Sequence, residues 1–114
     1  MDKQYWCRKD VCEMTGATRR ALQGFNEIGL LKPSKIAENG YWFYDEEAIE
    51  KLRQILSFQD LGYTRAEIAE ILADPQNIDS HYAEALERLK EGRAEIDGKI
   101  RHLEGKRLLK NDER

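Results

Sequence analysis

The chain has 114 residues, 40% of them hydrophobic and 36% charged, with a formal net charge of -3. That length fits one modest core and no second, separately folded ligand domain, while mixed charge with this much apolar content excludes a disordered polyelectrolyte. No stretch approaches the roughly 20 apolar residues of a membrane span, and the opening MDKQYWCRKD lacks the apolar run of a signal peptide, so the expected location is cytoplasmic, away from membranes.

Lys9 to Met14 reads as a short helix with Val11, Cys12 and Met14 facing inward, stopped by Thr15-Gly16. Thr18 then caps a second helix, in which Ala21, Leu22, Phe25 and Ile28 share one face and Gly29 takes the left-handed position after its end. Two short helices joined by a glycine-containing turn make a helix-turn-helix candidate. Beyond Pro33, Ser34–Ile36 and Tyr41–Tyr44 form a small hairpin about Asn39-Gly40, a dipeptide favoured where both central turn residues take positive φ. Its alternation sets Tyr41 and Phe43 on one face, Trp42 and Tyr44 on the other.

Asp45 caps a third helix with Ile49, Leu52, Ile55, Leu56 and Leu61 inside, ended by Gly62. Thr64-Arg65-Ala66-Glu67 is a capping box that opens a fourth helix, with Ile68, Ile71 and Leu72 inside and Pro75 past its end. From about Asp79 to Lys110 a single helix carries the seam Tyr82, Leu86, Leu89, Arg93, Ile96, Ile100, Leu103 and Arg107, alternating four- and three-residue steps. That is the coiled-coil period, and so narrow an apolar stripe is best buried by a second chain. The expected fold is therefore mainly α, with two domains: a winged helix-turn-helix head over residues 1–76, made of four helices and a β-hairpin wing, and a coiled-coil dimerisation helix over residues 77–114.

Charge is unevenly spread. Residues 1–44 hold seven Lys/Arg against five Asp/Glu, whereas residues 45–114 hold twelve against seventeen, which makes the first third the better surface for a polyanion. Cys7 and Cys12 are too few for a disulfide framework, and their spacing is not that of a zinc finger. His81 and His102 stand alone on a charged helix, facing solvent, without a second ligand four residues on. Neither a metal nor another cofactor is expected. The sequence also offers no Ser/His/Asp set, carboxylate pair or phosphate loop, so an enzyme is not expected.

The segments TGATRRALQGFNEIGLL at 15–31, ENGYWFY at 38–44 and LGYTRAEI at 61–68, in that order, resemble the MerR family of bacterial transcription regulators. The resemblance covers residues 5 to 76 in motif and the tail in architecture, and points to a short member without a separate effector domain. It implies a second helix in the major groove, a wing on the phosphate backbone, and a dimer joined through antiparallel C-terminal helices that distorts promoter DNA, with RNA polymerase a candidate partner there. Where the family's recognition helix commonly reads R-x-x-R-Y-Y, this chain keeps Arg20 but has Gln23 and Gly24, and in the wing a frequent Arg is Trp42.

Double-stranded DNA is thus the expected partner besides a second copy of the chain. Contact needs cations or donors for phosphates, and side chains that reach base edges. Thr18, Arg19, Arg20 and Gln23 supply these on the second helix, and Lys35, Asn39, Gly40, Tyr41 and Trp42 in the wing. Tyr63, Thr64 and Arg65 lie at a helix start, where free amides suit a phosphate. Trp42 is open between stacking on DNA and covering the partner's long helix. Dimerisation is assigned to Tyr82, Leu86, Leu89, Arg93, Ile96, Ile100 and Leu103. Two other readings stand beside a transcription regulator: an excisionase-like architectural protein with the same head, and a protein-interaction module using the tail.

Overall fold

A computed structural model describes residues 3–112, with side chains as far as Arg107. The outermost residues of the expected domains, 1–2 and 113–114, lie outside those described. In chain order the elements are β1 (Trp6–Cys7), α1 (Arg8–Thr15), α2 (Arg19–Glu27), β2 (Lys35–Ile36), β3 (Trp42–Tyr44), α3 (Glu46–Asp60), α4 (Arg65–Leu72), a 3-10 turn (Pro75–Asn77) and α5 (Ile78–Asp112). They fall into two compact units, Met1–Ala73 and Asp74–Arg114. The mainly helical class, the helix-turn-helix, the wing and the long C-terminal helix are all as the sequence implied.

The head closes a core of its own. Val11, Leu22, Phe25, Tyr44, Leu52, Ile55, Phe58 and Ile68 are completely buried. Each such side chain is worth about 1.5–3 kcal/mol relative to leaving it in water, so these positions dominate the head's stability. Two of the expected inward residues are instead exposed, Met14 at 42% and Ile28 at 56%. Met14 belongs to the last turn of α1. Ile28 is the C-cap residue of α2, where the backbone already departs from helical geometry (φ -91°, ψ 0°) and carries the side chain off the apolar face. Cys12, expected inside, is half-buried.

Two helices end in the same way, and the sequence repeats accordingly: Phe25-Asn-Glu-Ile-Gly-Leu30 and Phe58-Gln-Asp-Leu-Gly-Tyr63. In each the glycine is left-handed (Gly29 φ 74°, Gly62 φ 91°). The following N–H then donates to the phenylalanine carbonyl, Leu30 to Phe25 at 2.8 Å and Tyr63 to Phe58 at 3.1 Å. This is the Schellman closure, which brings an apolar residue after the glycine back onto the helix. It buries Leu30 and Tyr63 alike.

The sheet has three strands, one more than expected. β3 is central, paired antiparallel with β1 (Trp6 with Tyr44, Cys7 with Phe43) and with β2 (Lys35 with Phe43, Ile36 with Trp42). A strand of two residues leaves no period to read in a sequence. At the wing tip the turn also differs from expectation: Gly40 has positive φ (86°) and Asn39 does not. The Gly40 N–H donates to the Ala37 carbonyl at 2.9 Å, and the Asn39 side chain accepts from the Tyr41 N–H at 3.1 Å. A three-residue connection closed by a left-handed glycine results, which satisfies the tip's backbone without forcing asparagine into the left-handed region.

In the second unit, α5 runs unbroken for 35 residues, about 50 Å at 1.5 Å per residue. The His81 imidazole lies 3.4 Å from the Asp74 carboxylate and is partly covered rather than fully solvent-facing.

Candidate nucleic-acid interface

The start of α2 is built by a short chain of local interactions. The Thr15 hydroxyl donates to the Val11 carbonyl at 2.7 Å and accepts from the Ala17 N–H at 3.2 Å, fixing the turn between α1 and α2. Thr18 then caps α2, accepting from the Ala21 N–H at 3.0 Å. With Leu22 and Phe25 anchored in the core, the opposite face carries Arg19, Arg20 and Gln23, all exposed. Gln23 reaches Glu27 on the next turn at 3.4 Å, a weak bond that leaves its amide available. The Thr18 hydroxyl is committed to the cap.

Beside this helix the wing and the start of α1 enclose a cleft of about 320 Å³, lined by Cys7, Arg8, Lys9, Arg19, Tyr41 and Trp42. Three cations and a phenol thus converge on one concavity. Arg8 and Lys9 were not among the residues singled out in the sequence, because they read as the polar start of α1. The pairing of β1 with β3 places them next to the wing. An Arg-Lys pair directly ahead of an apolar helix was the available signal, but it gains meaning only from that strand.

The Arg8 guanidinium lies 4.6 Å from the centre of the half-buried Trp42 ring, a cation–π pairing that holds both side chains at the cleft wall. Lys35 packs likewise against Tyr5, at 5.6 Å. Tyr41 is 62% exposed, next to the wing tip. Asn39 and Gly40 form the tip itself, and the Asn39 carbonyl oxygen is occupied within the turn.

At the third element the expected residues separate. Thr64 holds both halves of a capping box, accepting from the Glu67 N–H at 3.1 Å while the Glu67 carboxylate accepts from the Thr64 N–H at 3.0 Å. Tyr63 is only 7% exposed, with its ring edge-on to Phe58 at 5.3 Å. Its side chain therefore belongs to the core, a place dictated by the Schellman closure, and it is not brought to the surface with the others. Arg65 is exposed, and its guanidinium lies 4.8 Å over the Phe25 ring of α2.

On α5, Tyr82, Leu86, Leu89, Ile96, Ile100 and Leu103 are 42–65% exposed, and Arg93 shares the seam between them. The flanks carry ion pairs along the helix, Arg88 with Glu84 and Lys90 with Glu87, both at 3.6 Å. An apolar stripe between charged flanks is the pattern of a helix that pairs. Among the described residues no group of three or more His, Cys, Asp or Glu is placed to hold a metal ion, and no helix is long and apolar enough to cross a membrane.

Comparison with known proteins gives two family matches: the MerR HTH family of regulatory proteins over residues 8–74, and a MerR DNA-binding family over residues 49–107. The chain is 39% identical to the HTH-type transcriptional activator mta of Bacillus subtilis over 67 residues, 59% of this chain and 26% of that protein. It thus spans about a quarter of the length of that relative. To the HTH-type transcriptional regulator CueR of Escherichia coli O157:H7 it is 32% identical over 105 residues, 90% of this chain and 73% of that one. Among solved structures, the N-terminal part of the Bacillus subtilis multidrug transporter activator superposes with a TM-score of 0.70 at 30% identity, covering 87% of this chain and 94% of that chain. A MerR-family regulator from Bacillus cereus gives 0.69 at 27% identity, covering 89% of this chain and 78% of that chain.

Proposed function

Given that the chain belongs to the MerR helix-turn-helix family, we propose that it is a cytoplasmic, non-enzymatic transcription regulator that binds duplex DNA as a homodimer. The observation that carries this reading is the cluster of exposed cations at the start of α2 and beside the wing. Arg19, Arg20, Lys9 and Lys35 have no carboxylate within ion-pair distance among the described residues. A surface of this kind lowers its free energy by taking phosphates in place of counterions. α2 is the element for the major groove, with Arg20 and Gln23 the side chains that reach base edges, while Tyr41, Lys35 and the Arg8–Trp42 wall hold the flanking backbone.

The tail fits this reading. A two-fold pair of heads, joined through the α5 seam, addresses two half-sites at a fixed separation, and resistance of DNA to that separation is resolved by bending or twisting the duplex. RNA polymerase at the same promoter is the natural recipient of such a distortion.

The test is to measure binding of the purified chain to a mixed pool of genomic duplex fragments across a salt series, alongside its mass in solution. A dimer is expected whose affinity falls steeply with salt, and Arg20→Ala should weaken selected sites by about 1–3 kcal/mol. A monomeric chain that ignores DNA at low salt would overturn the proposal.

A further inference from the structure

Gly24 lies in the middle of α2, where glycine weakens a helix by about 1 kcal/mol relative to alanine. What occupies its place explains the residue. A Cβ built on Gly24 would stand 2.6 Å from Nη1 of Arg65 and 3.3 Å from its Cζ. The guanidinium is held there by the face of Phe25, 4.8 Å from the ring centre, and no carboxylate pairs with it among the described residues. Residues four apart on a helix share a face, so position 24 follows Arg20 by one turn on the same side.

We infer that Arg65 acts as the missing side chain of α2 at position 24: it crosses from α4 through the notch left by Gly24 and presents a phosphate-binding cation in line with Arg20. The inference rests on the DNA-binding reading above. Phe25 has a double part, its body in the core and its ring face a platform that fixes the guanidinium plane. Arginine suits that site better than lysine, because a planar, delocalised cation stacks on a ring while still offering edge donors to an anion. Gly24 then serves as a positioning residue, since any side chain there competes for the same space.

The test uses the full chain, the mixed genomic duplex pool and five variants, read out by affinity, salt slope and melting temperature. Arg65→Ala should bind about tenfold more weakly, with a salt slope shallower by about 0.9, the signature of one lost phosphate contact. Arg65→Lys should fall between the two. Gly24→Ala should weaken binding in the parent chain and have no effect once Arg65 is already alanine, because the added methyl acts by displacing the guanidinium. If Arg65→Ala lowers the melting temperature but binds with parental affinity and slope, Arg65 merely covers Phe25 and the inference fails, while Arg20→Ala remains weak-binding. If the parent chain itself retains no duplex, the DNA-binding reading falls and takes this inference with it.

Discussion

The two units of the chain solve the problem of apolar surface in opposite ways. The head hides Val11, Leu22, Phe25, Leu52, Ile55, Phe58 and Ile68 completely, using helices of 8 to 15 residues that cross and cover one another. The tail is a single helix of 35 residues whose seam side chains Tyr82, Leu86, Leu89, Ile96, Ile100 and Leu103 stay 42–65% exposed. A self-contained core makes the head's stability its own property. An uncovered seam makes the tail's stability a function of what it meets, and therefore of concentration.

Substitution on each side should sharpen this contrast. Phe25→Ala should destabilise the head by about 3–5 kcal/mol, through lost burial and the cavity left behind. The counterpart Leu89→Asp should leave the head's unfolding unchanged but halve the sedimenting mass and make melting independent of protein concentration. Denaturant unfolding followed through head tryptophans, together with ultracentrifugation, separates the two outcomes. If Leu89→Asp unfolds the head as well, the units are not energetically distinct.

A smaller effect attaches to Asp45, which is buried at the start of α3. Its carboxylate accepts from Lys3 Nζ at 2.9 Å and from the Ala48 N–H at 2.8 Å. The Lys3 bond first, and the Ala48 bond second, hold its pKa below the ordinary 3.8. Because the folded value lies below the unfolded one, the stabilisation is present above about pH 4 and is lost as pH falls through the folded value. Lys3 is raised above 10.5 by the same partner, so its share persists at neutral pH and is lost as pH rises through the raised value. Asp45→Ala should cost the head about 1 kcal/mol through the lost cap. Asp45→Asn should keep most of the cap but flatten the acid limb of the stability profile. An acid limb that is the same in Asp45→Asn as in the parent chain would contradict the assignment.

The smallest effect tests whether helix propensity limits the tail. A Cβ added to Gly92 meets nothing within 4 Å in this chain. Gly92→Ala should therefore stabilise α5 by up to about 1 kcal/mol, visible as a higher melting temperature of the tail at fixed concentration. A fall instead would mean that a second helix approaches Gly92 closely, and would place that residue on the pairing surface.

What was legible in the sequence was mostly the ends of elements. Thr18, Asp45 and Thr64 announce helix starts because a side-chain oxygen three residues ahead of an amide has a single efficient use, and all three accept that bond. The buried positions of α3 followed from their spacing, although Phe58, completely buried, was passed over there in favour of Leu56 and Leu61, which are half-covered. Tyr63 was grouped with Thr64 and Arg65 because all three lie at a helix start, whereas its backbone bond to Phe58 rolls its side chain inward. Arg8 and Lys9 were passed over because their importance depends on a pairing of distant residues that no local pattern encodes. The turn at Asn39-Gly40 was recognised as a turn, but its type differs because only Gly40 takes positive φ while the Asn39 side chain accepts from the Tyr41 N–H.

β1 also bears on where the chain is safely cut. The family match begins at residue 8, immediately after that strand. A fragment trimmed to this boundary would keep every helix yet strip β3 of its neighbour at Trp6 and Cys7, baring a row of amides and carbonyls. Unpaired edges recruit other strands. The shortened polypeptide would tend to stick to itself through the wing and mimic an oligomer, so purification tags belong ahead of these residues rather than in place of them.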